Sequence, residues 1–174
     1  MRKTPPAVAR DFVFRCCEST EDYWMELVLW RHAEAEDGLD DLARELTPKG
    51  RKQAAKMADW LNERLPVDCR ILASPATRAK QTARALGKPF EIVPAISPGA
   101  NWKEVLDAAG WPGRDEDCVL LAGHQPTLGE VAAHLLGAED SLAIRKAAVW
   151  WFSSRKRANS SEVILRAVMG PDFL

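Results

Sequence analysis

The feature of this sequence that most restricts its fold is a regular alternation of short apolar runs with segments of helical period. Glu26 to Trp30 is a compact strand candidate, Val67 to Ala73 a second and Glu91 to Val93 a short third. Cys118 to Ala122 is an unbroken apolar run, the pattern of a strand covered on both faces. Between the runs lie helix signals. Thr47 is an N-cap with Pro48 at the first helical position, and Ala54, Met57, Ala58, Leu61 and Leu65 follow on one stripe. Ser74 caps a second predicted helix that runs to about Leu86, with Gly87 just past its end. Asn101 with Glu104 opens a third that Gly110 stops, and Thr127 with Glu130 opens a fourth that Gly137 closes.

The tail changes style. Ala147 to Phe152 and Glu162 to Val168 are β-type runs around a polar loop, Ser153 to Ser161, which predicts a terminal hairpin or two adjacent strands. Its basic part, Ser153 to Arg157, reads as a solvated loop tip or a docking site for an acidic partner. Trp150 and Trp151 are adjacent and so point to opposite sheet faces. The pattern as a whole predicts an α/β chain: a three-layer α/β/α sandwich with a mostly parallel central sheet and helices on both faces.

At 174 residues the chain has the length of one domain. Residues 1–24 carry two adjacent prolines, two adjacent cysteines and no clear period, and the character changes at Met25. They read as an ill-ordered extension or a mis-assigned start, with the domain at 25–174. A formal charge of -1, with Lys plus Arg at 24 and Asp plus Glu at 25, argues against a general nucleic-acid binder. Cys16, Cys17, Cys69 and Cys118 show neither metal-ligand spacing nor a CxxC motif, so reduced thiols in a cytoplasmic protein are expected. No run is long enough to span a bilayer, and no apolar stretch follows the charged start as a secretory signal requires.

In a sheet of this kind ligands bind beyond the carboxyl ends of the strands. The first run ends in Arg31-His32, the second in Ser74-Pro75 with Arg78 close behind, and the Cys118 run in Gly123-His124. Two histidines and two arginines from distant parts of the sequence therefore converge on one sheet edge. His134 stands apart, on the polar side of its predicted helix, and reads as a solvated surface histidine.

These residues carry a resemblance. Leu29-Trp-Arg-His-Ala33 is similar to the RHG-type signature of the histidine phosphatase superfamily. Ser74-Pro-Ala-Thr-Arg-Ala-Lys-Gln-Thr-Ala83 resembles its second block, and Gly123-His-Gln-Pro126 its third. The blocks come in the superfamily's order, and the likeness covers roughly residues 26 to 174. The short length, the RHA-E-A run and Leu46-Thr-Pro-Lys-Gly50 resemble the SixA-type branch of phosphohistidine phosphatases.

The resemblance implies a phosphoglycerate mutase-like fold and a covalent mechanism. His32 would attack phosphorus in line and form a phosphohistidine that water hydrolyses. Arg31 and Arg78 would clamp the phosphoryl oxygens, with His124 donating to them; planar guanidinium groups suit this task because they bind oxyanions in a bidentate manner and stay charged. Arg44 is a further phosphate contact or a solvated loop arginine. Neither metal nor other cofactor is expected. Larger relatives carry an acid for the leaving group after the second block, where this chain reads Ile96-Ser-Pro-Gly-Ala-Asn101. That favours a phosphoramidate substrate, whose imidazole leaves more easily than an alkoxide. Glu34, Glu36, Asp37, Asp40 and Asp41 remain candidates for an acid.

Three functions follow in order: a phosphatase for a phosphohistidine protein such as a histidine phosphotransfer domain, one for a small phosphoester, and a binding module without turnover. Neither nucleic acid nor membrane is an expected partner.

Overall fold

In the computed structural model the described residues are 23–113, 117–157 and 160–174. They form one six-stranded sheet in the order β3-β2-β4-β1-β5-β6. In chain order the elements are β1 (Tyr23–Arg31), α1 (Pro48–Asn62), β2 (Arg70–Ala73), α2 (Thr77–Arg84) and β3 (Glu91–Ile92). They continue with α3 (Trp102–Ala109), β4 (Cys118–Gly123), α4 (Thr127–Leu136), β5 (Val149–Arg157) and β6 (Ser160–Met169). The pairings β1–β4, β2–β4 and β2–β3 are parallel, whereas β1–β5 and β5–β6 are antiparallel. Only β5 thus opposes the common direction, and the sheet is mostly parallel.

Alternation along the strands sends side chains to two cores. Val28, Trp30, Ile71, Ala73, Leu120 and Ala122 face α1 and α2, packing on Met57, Leu61 and Ala83. Leu27, Leu29, Leu72, Val119 and Leu121 face α3 and α4, packing on Val105, Leu128 and Val131. The three-layer sandwich follows. Trp30 is fully buried, and its indole N–H donates to the Ala147 carbonyl at 3.0 Å, which removes the penalty of burying a polar atom. Among the described residues no helix is long and apolar enough to cross a membrane.

Helix ends follow the sequence signals in part. Thr47 Oγ1 accepts from Gly50 N at 2.8 Å, and Pro48 stands at the first helical position. Asn101 and Glu104 make a full capping box, and Gly110 and Gly137 close their helices in the left-handed region. The expected caps at Ser74 and Thr127 do not form. α2 begins at Thr77 with Ala76 as its N-cap, and Ser74 Oγ is engaged elsewhere. Pro126 occupies the N-cap position of α4, and the Thr127 hydroxyl donates instead to the Ala100 carbonyl at 2.9 Å, tying the starts of α3 and α4 together.

Several boundaries also differ. β2 begins at Arg70 rather than Val67, because the chain turns there with Cys69 N donating to Pro66 O. Within the stretch expected to be loop, Ser153 to Arg157 and Ser160 to Ser161 are strand. β5 runs on to Arg157 because it must pair along the whole of β1, which itself begins at Tyr23. Ser153 and Ser154 are buried in that ladder, and Arg155 lies over the Trp24 ring at 4.8 Å. The basic run is therefore strand. Residues 1–22, with Cys16 and Cys17, lie outside the described residues. His134 is exposed as expected, but its ring stacks on Trp102 with centroids 4.0 Å apart.

Candidate active site

Three neighbouring parallel strands, β2, β4 and β1, deliver their carboxyl ends to one cavity of about 330 Å³. Arg31, His32, Arg44, Arg78 and His124 all line it, together with Asp37, Asp41, Gln125 and Lys146. The two histidines and three arginines expected at the site from the sequence thus border one space.

His32 is held by its own backbone: its N–H donates to Gly123 O at 3.0 Å and its carbonyl accepts from Ala147 N at 3.2 Å. The next residue is anchored too, with Ala33 N donating to Thr82 Oγ1 at 3.1 Å while that hydroxyl donates to Arg78 O at 2.7 Å. In the ring, Nδ1 lies 2.7 Å from the Ala33 carbonyl. A carbonyl only accepts, so Nδ1 carries the proton and Nε2 keeps its lone pair. Nε2 in turn accepts from Arg78 Nε at 3.3 Å. Burial, with Arg78 and Arg31 adding repulsion, outweighs the Ala33 hydrogen bond and holds the imidazole down to about 4. It is neutral at neutral pH.

His124 lies beside it, ring centroids 5.1 Å apart. Its Nε2 is 2.7 Å from Ser74 Oγ. Burial, followed by the neighbouring His32 and Arg78, holds this imidazole down to about 3. Its Nδ1 is buried without a partner among the described residues, and so is Arg31 Nε. Arg31 itself reaches the Ile144 carbonyl through Nη1 at 2.6 Å. Two potential donors on cavity-lining residues are thus left open, a site chemistry that suits an oxyanion.

Arg78 is only 3% exposed. Its Nη2 donates to Asp41 Oδ2 at 2.9 Å and its Nη1 to the Asp41 carbonyl. Arg44 holds the other carboxylate oxygen, with Nη2 2.7 Å from Asp41 Oδ1. Hydrogen bonds from Arg78 and then Arg44 keep the Asp41 carboxyl below its ordinary range. A carboxylate paired in this way is a poor proton donor. Of the other acid candidates, Asp37 lines the cavity while Glu34, Glu36 and Asp40 do not. Glu34 pairs with Lys49 at 3.0 Å, and Asp40 caps the Leu42 and Ala43 amides.

Sequence reasoning misses four contributors. Ser74 orients His124 rather than capping a helix, and Thr82 fixes the turn after His32; both sit inside the second block, where only their chemistry marks them. Lys146 and Gln125 border the cavity, Gln125 donating to Leu142 O at 2.8 Å.

Comparison with known proteins gives a family and a fold. The pattern of the histidine phosphatase superfamily (branch 1) matches residues 27–106. A phosphohistidine phosphatase SixA homolog of Haemophilus influenzae is 32% identical over 141 residues, 72% of this chain and 85% of that protein. A structure described as a SixA phosphohistidine phosphatase of Nakamurella multipartitia superposes with a TM-score of 0.71 at 27% identity, covering 86% of this chain and 97% of that one. The fold is also that of the protein histidine phosphatase SixA complexed with tungstate, at a TM-score of 0.69, 24% identity, and 86% and 99% coverage.

Proposed function

We propose, for a chain that belongs to the histidine phosphatase superfamily and to its SixA-type branch, that it removes the phosphoryl group from a phosphohistidine protein with His32 as nucleophile. The observation that carries this reading is the state of the His32 ring: Nδ1–H bound to Ala33 O, Nε2 unprotonated, and a buried guanidinium 3.3 Å away. A neutral imidazole fixed in one tautomer needs no base to attack phosphorus.

The steps balance simply. His32 Nε2 bonds to phosphorus, the substrate's N–P bond breaks, and the leaving imidazole takes a proton from solvent water. Water then attacks the phosphoryl group, the His32 N–P bond breaks, and inorganic phosphate leaves. Arg31 and Arg78 hold the equatorial oxygens, and Arg44 extends the clamp at the mouth. With the Ser74 hydroxyl donating to His124 Nε2, the His124 Nδ1–H is free for a third oxygen. The open donors Arg31 Nε and His124 Nδ1 gain partners when the oxyanion arrives.

A labile N–P bond suits a site whose Arg78-bound carboxylate, Asp41, stays ionised. A phosphoester would instead need a proton delivered to an alkoxide. The names of the similar proteins support the same substrate class. We place the reaction in the cytoplasm and the domain at residues 25–174. The test is phosphate release from a histidine-phosphorylated phosphotransfer protein, from phosphoramidate and from a sugar phosphate at equal concentration. The phosphohistidine protein should turn over at least about tenfold faster, a difference of ~1.4 kcal/mol in barrier. A preference for the sugar phosphate would overturn the assignment.

A further inference from the structure

Cys69 and Cys118 lie 49 positions apart in the chain, yet their Sγ atoms stand 2.8 Å from each other. The sheet brings this about. Arg70 is registered with Val119 in the parallel β2–β4 ladder, so the two cysteines occupy the next step toward the strands' amino ends. Neighbouring strands run about 4.8 Å apart, inside the ~4.4–6.8 Å Cα separation that disulfides adopt. Both thiols are free. Among the described residues no third histidine, cysteine or carboxylate joins them in a metal-ligating group. Redox chemistry is what this pair is placed to do.

We propose that Cys69 and Cys118 form a reversible oxidative modification site, closing to a disulfide that staples β2 to β4. The oxidant is a low-molecular-weight disulfide such as oxidised glutathione. Cys69 loses its proton and attacks one sulfur of the oxidant, whose S–S bond breaks to release one thiol. Cys118 then loses its proton and attacks Cys69 Sγ, and the mixed disulfide breaks to release the second thiol. Two protein thiols are oxidised, one small disulfide is reduced, and the two protons pass to the released thiolates.

The order of attack follows from access. Cys69 is 8% exposed beside Val67, which is 98% exposed, whereas Cys118 is 3% exposed within β4. Hydrogen bonding to Cys69, and then burial, push the Cys118 thiol up, so Cys69 is the sulfur that reacts first. The pair sits at the amino ends of the two strands whose carboxyl ends lead to Ser74 and His124. Closure therefore stiffens the strands that carry the site without entering the cavity.

The native full-length protein, and a C16S/C17S variant that removes the other two thiols, are incubated with oxidised glutathione, alkylated and digested. The expected product is a cross-linked peptide pair containing Cys69 and Cys118 that dithiothreitol separates. Closing a loop of this length should raise Tm by roughly 10 °C, a gain absent in Cys69→Ser. Phosphatase turnover of the oxidised protein should stay within about twofold of the reduced form. Recovery of only free or singly glutathionylated cysteines from the folded protein would overturn the proposal. So would a cross-link that abolishes turnover, since the staple would then not be remote from the site. The peptide map of the native chain decides the matter even if a cysteine variant fails to fold.

Discussion

Asp41 Oδ2 lies 2.9 Å from Arg78 Nη2, and the other oxygen of the same carboxylate lies 2.7 Å from Arg44 Nη2. The carboxylate thus takes up donors that the proposed mechanism assigns to the phosphoryl group. Arg78 is almost wholly buried and Asp41 half exposed, so of the two partners Asp41 is the one with room to be displaced.

Asp41→Asn tests this competition. Losing the charge should free Arg78 and tighten inhibition by inorganic phosphate about tenfold, or ~1.4 kcal/mol. Weaker inhibition in the variant would mean that Asp41 positions Arg78 for phosphate rather than competing with it. Phosphate inhibition constants at fixed ionic strength decide between the two.

The covalent mechanism is checked by trapping. Acid-sensitive, base-stable radiolabel should accumulate on His32 after rapid quenching and vanish in His32→Ala, together with turnover. Arg78→Ala should retain the fold but lose roughly a hundredfold to a thousandfold in rate, the usual worth of one donor to a developing oxyanion. His134→Ala, away from the cavity, should leave the rate nearly unchanged. Normal turnover in His32→Ala would end the proposal of a phosphohistidine intermediate.

The two buried imidazoles make a pH prediction of definite sign. His32 titrates at about 4 and His124 at about 3, against 6.5 when unperturbed. Between those values the unfolded chain binds more protons than the folded one, so stability rises with pH. The contribution is fully present above pH 6.5 and is lost as pH falls toward 4 and then 3. Urea midpoints measured from pH 7 downward should fall through this window. The acid limb of kcat/KM should lie near 4 rather than 6.5, since His32 stays an unprotonated nucleophile down to that point. A limb at 6.5 would contradict the buried, neutral ring.

Gly50 offers a test of how the site is braced. It lies in the first turn of α1, where an added Cβ would stand 1.9 Å from the Glu34 carbonyl oxygen. The same carbonyl accepts from Thr47 N at 3.0 Å, so the helix start clasps the segment that follows His32. Gly50→Ala should cost about 3 kcal/mol or more, lowering Tm by roughly 10 °C, and should reduce activity by displacing that segment. Calorimetry beside a rate measurement reads both effects.

A chain beginning at Met25 should fold and keep full activity, because the strand residues that lead into Arg31 and His32 remain. It loses Tyr23 and Trp24 from β1, and with Trp24 the ring beneath Arg155. A Tm lower by a few degrees is expected. Failure to yield soluble protein would place the residues before Met25 within the domain.

The layers and the converging quartet were legible because strand ends and helical stripes are local patterns, and a parallel sheet sends all such ends to one edge. Trp30 and Leu121 announce their burial by lying in compact apolar runs, and Met57 by its place on a helical stripe. Ser74 was not legible in the same way: a serine before a helix signals a cap, but here the helix starts later and a histidine fifty residues away in sequence takes the hydroxyl. The acidic stretch holding Asp37, Asp40 and Asp41 has no period at all. Only the folded loop decides that one carboxylate turns to Arg78 while another caps two amides. The basic run at Ser153 to Arg157 misleads for a related reason, since the length of β5 is set by the strand it pairs with and not by its own polarity.

The β1–β4 pairing, with Leu29 beside Leu121, joins segments that leave the ribosome far apart in time. His32 emerges early, but it cannot be flanked by His124 until β4 has been synthesised and inserted between β1 and β2. Non-local parallel pairing of this kind is slow to form, because the chain must close long loops before any contact rewards them. A nascent or proteolytically clipped chain lacking β4 thus carries the nucleophile without His124 and without the strand that joins β1 to β2. On the proposed mechanism, phosphatase action therefore waits until β4 has been made and paired.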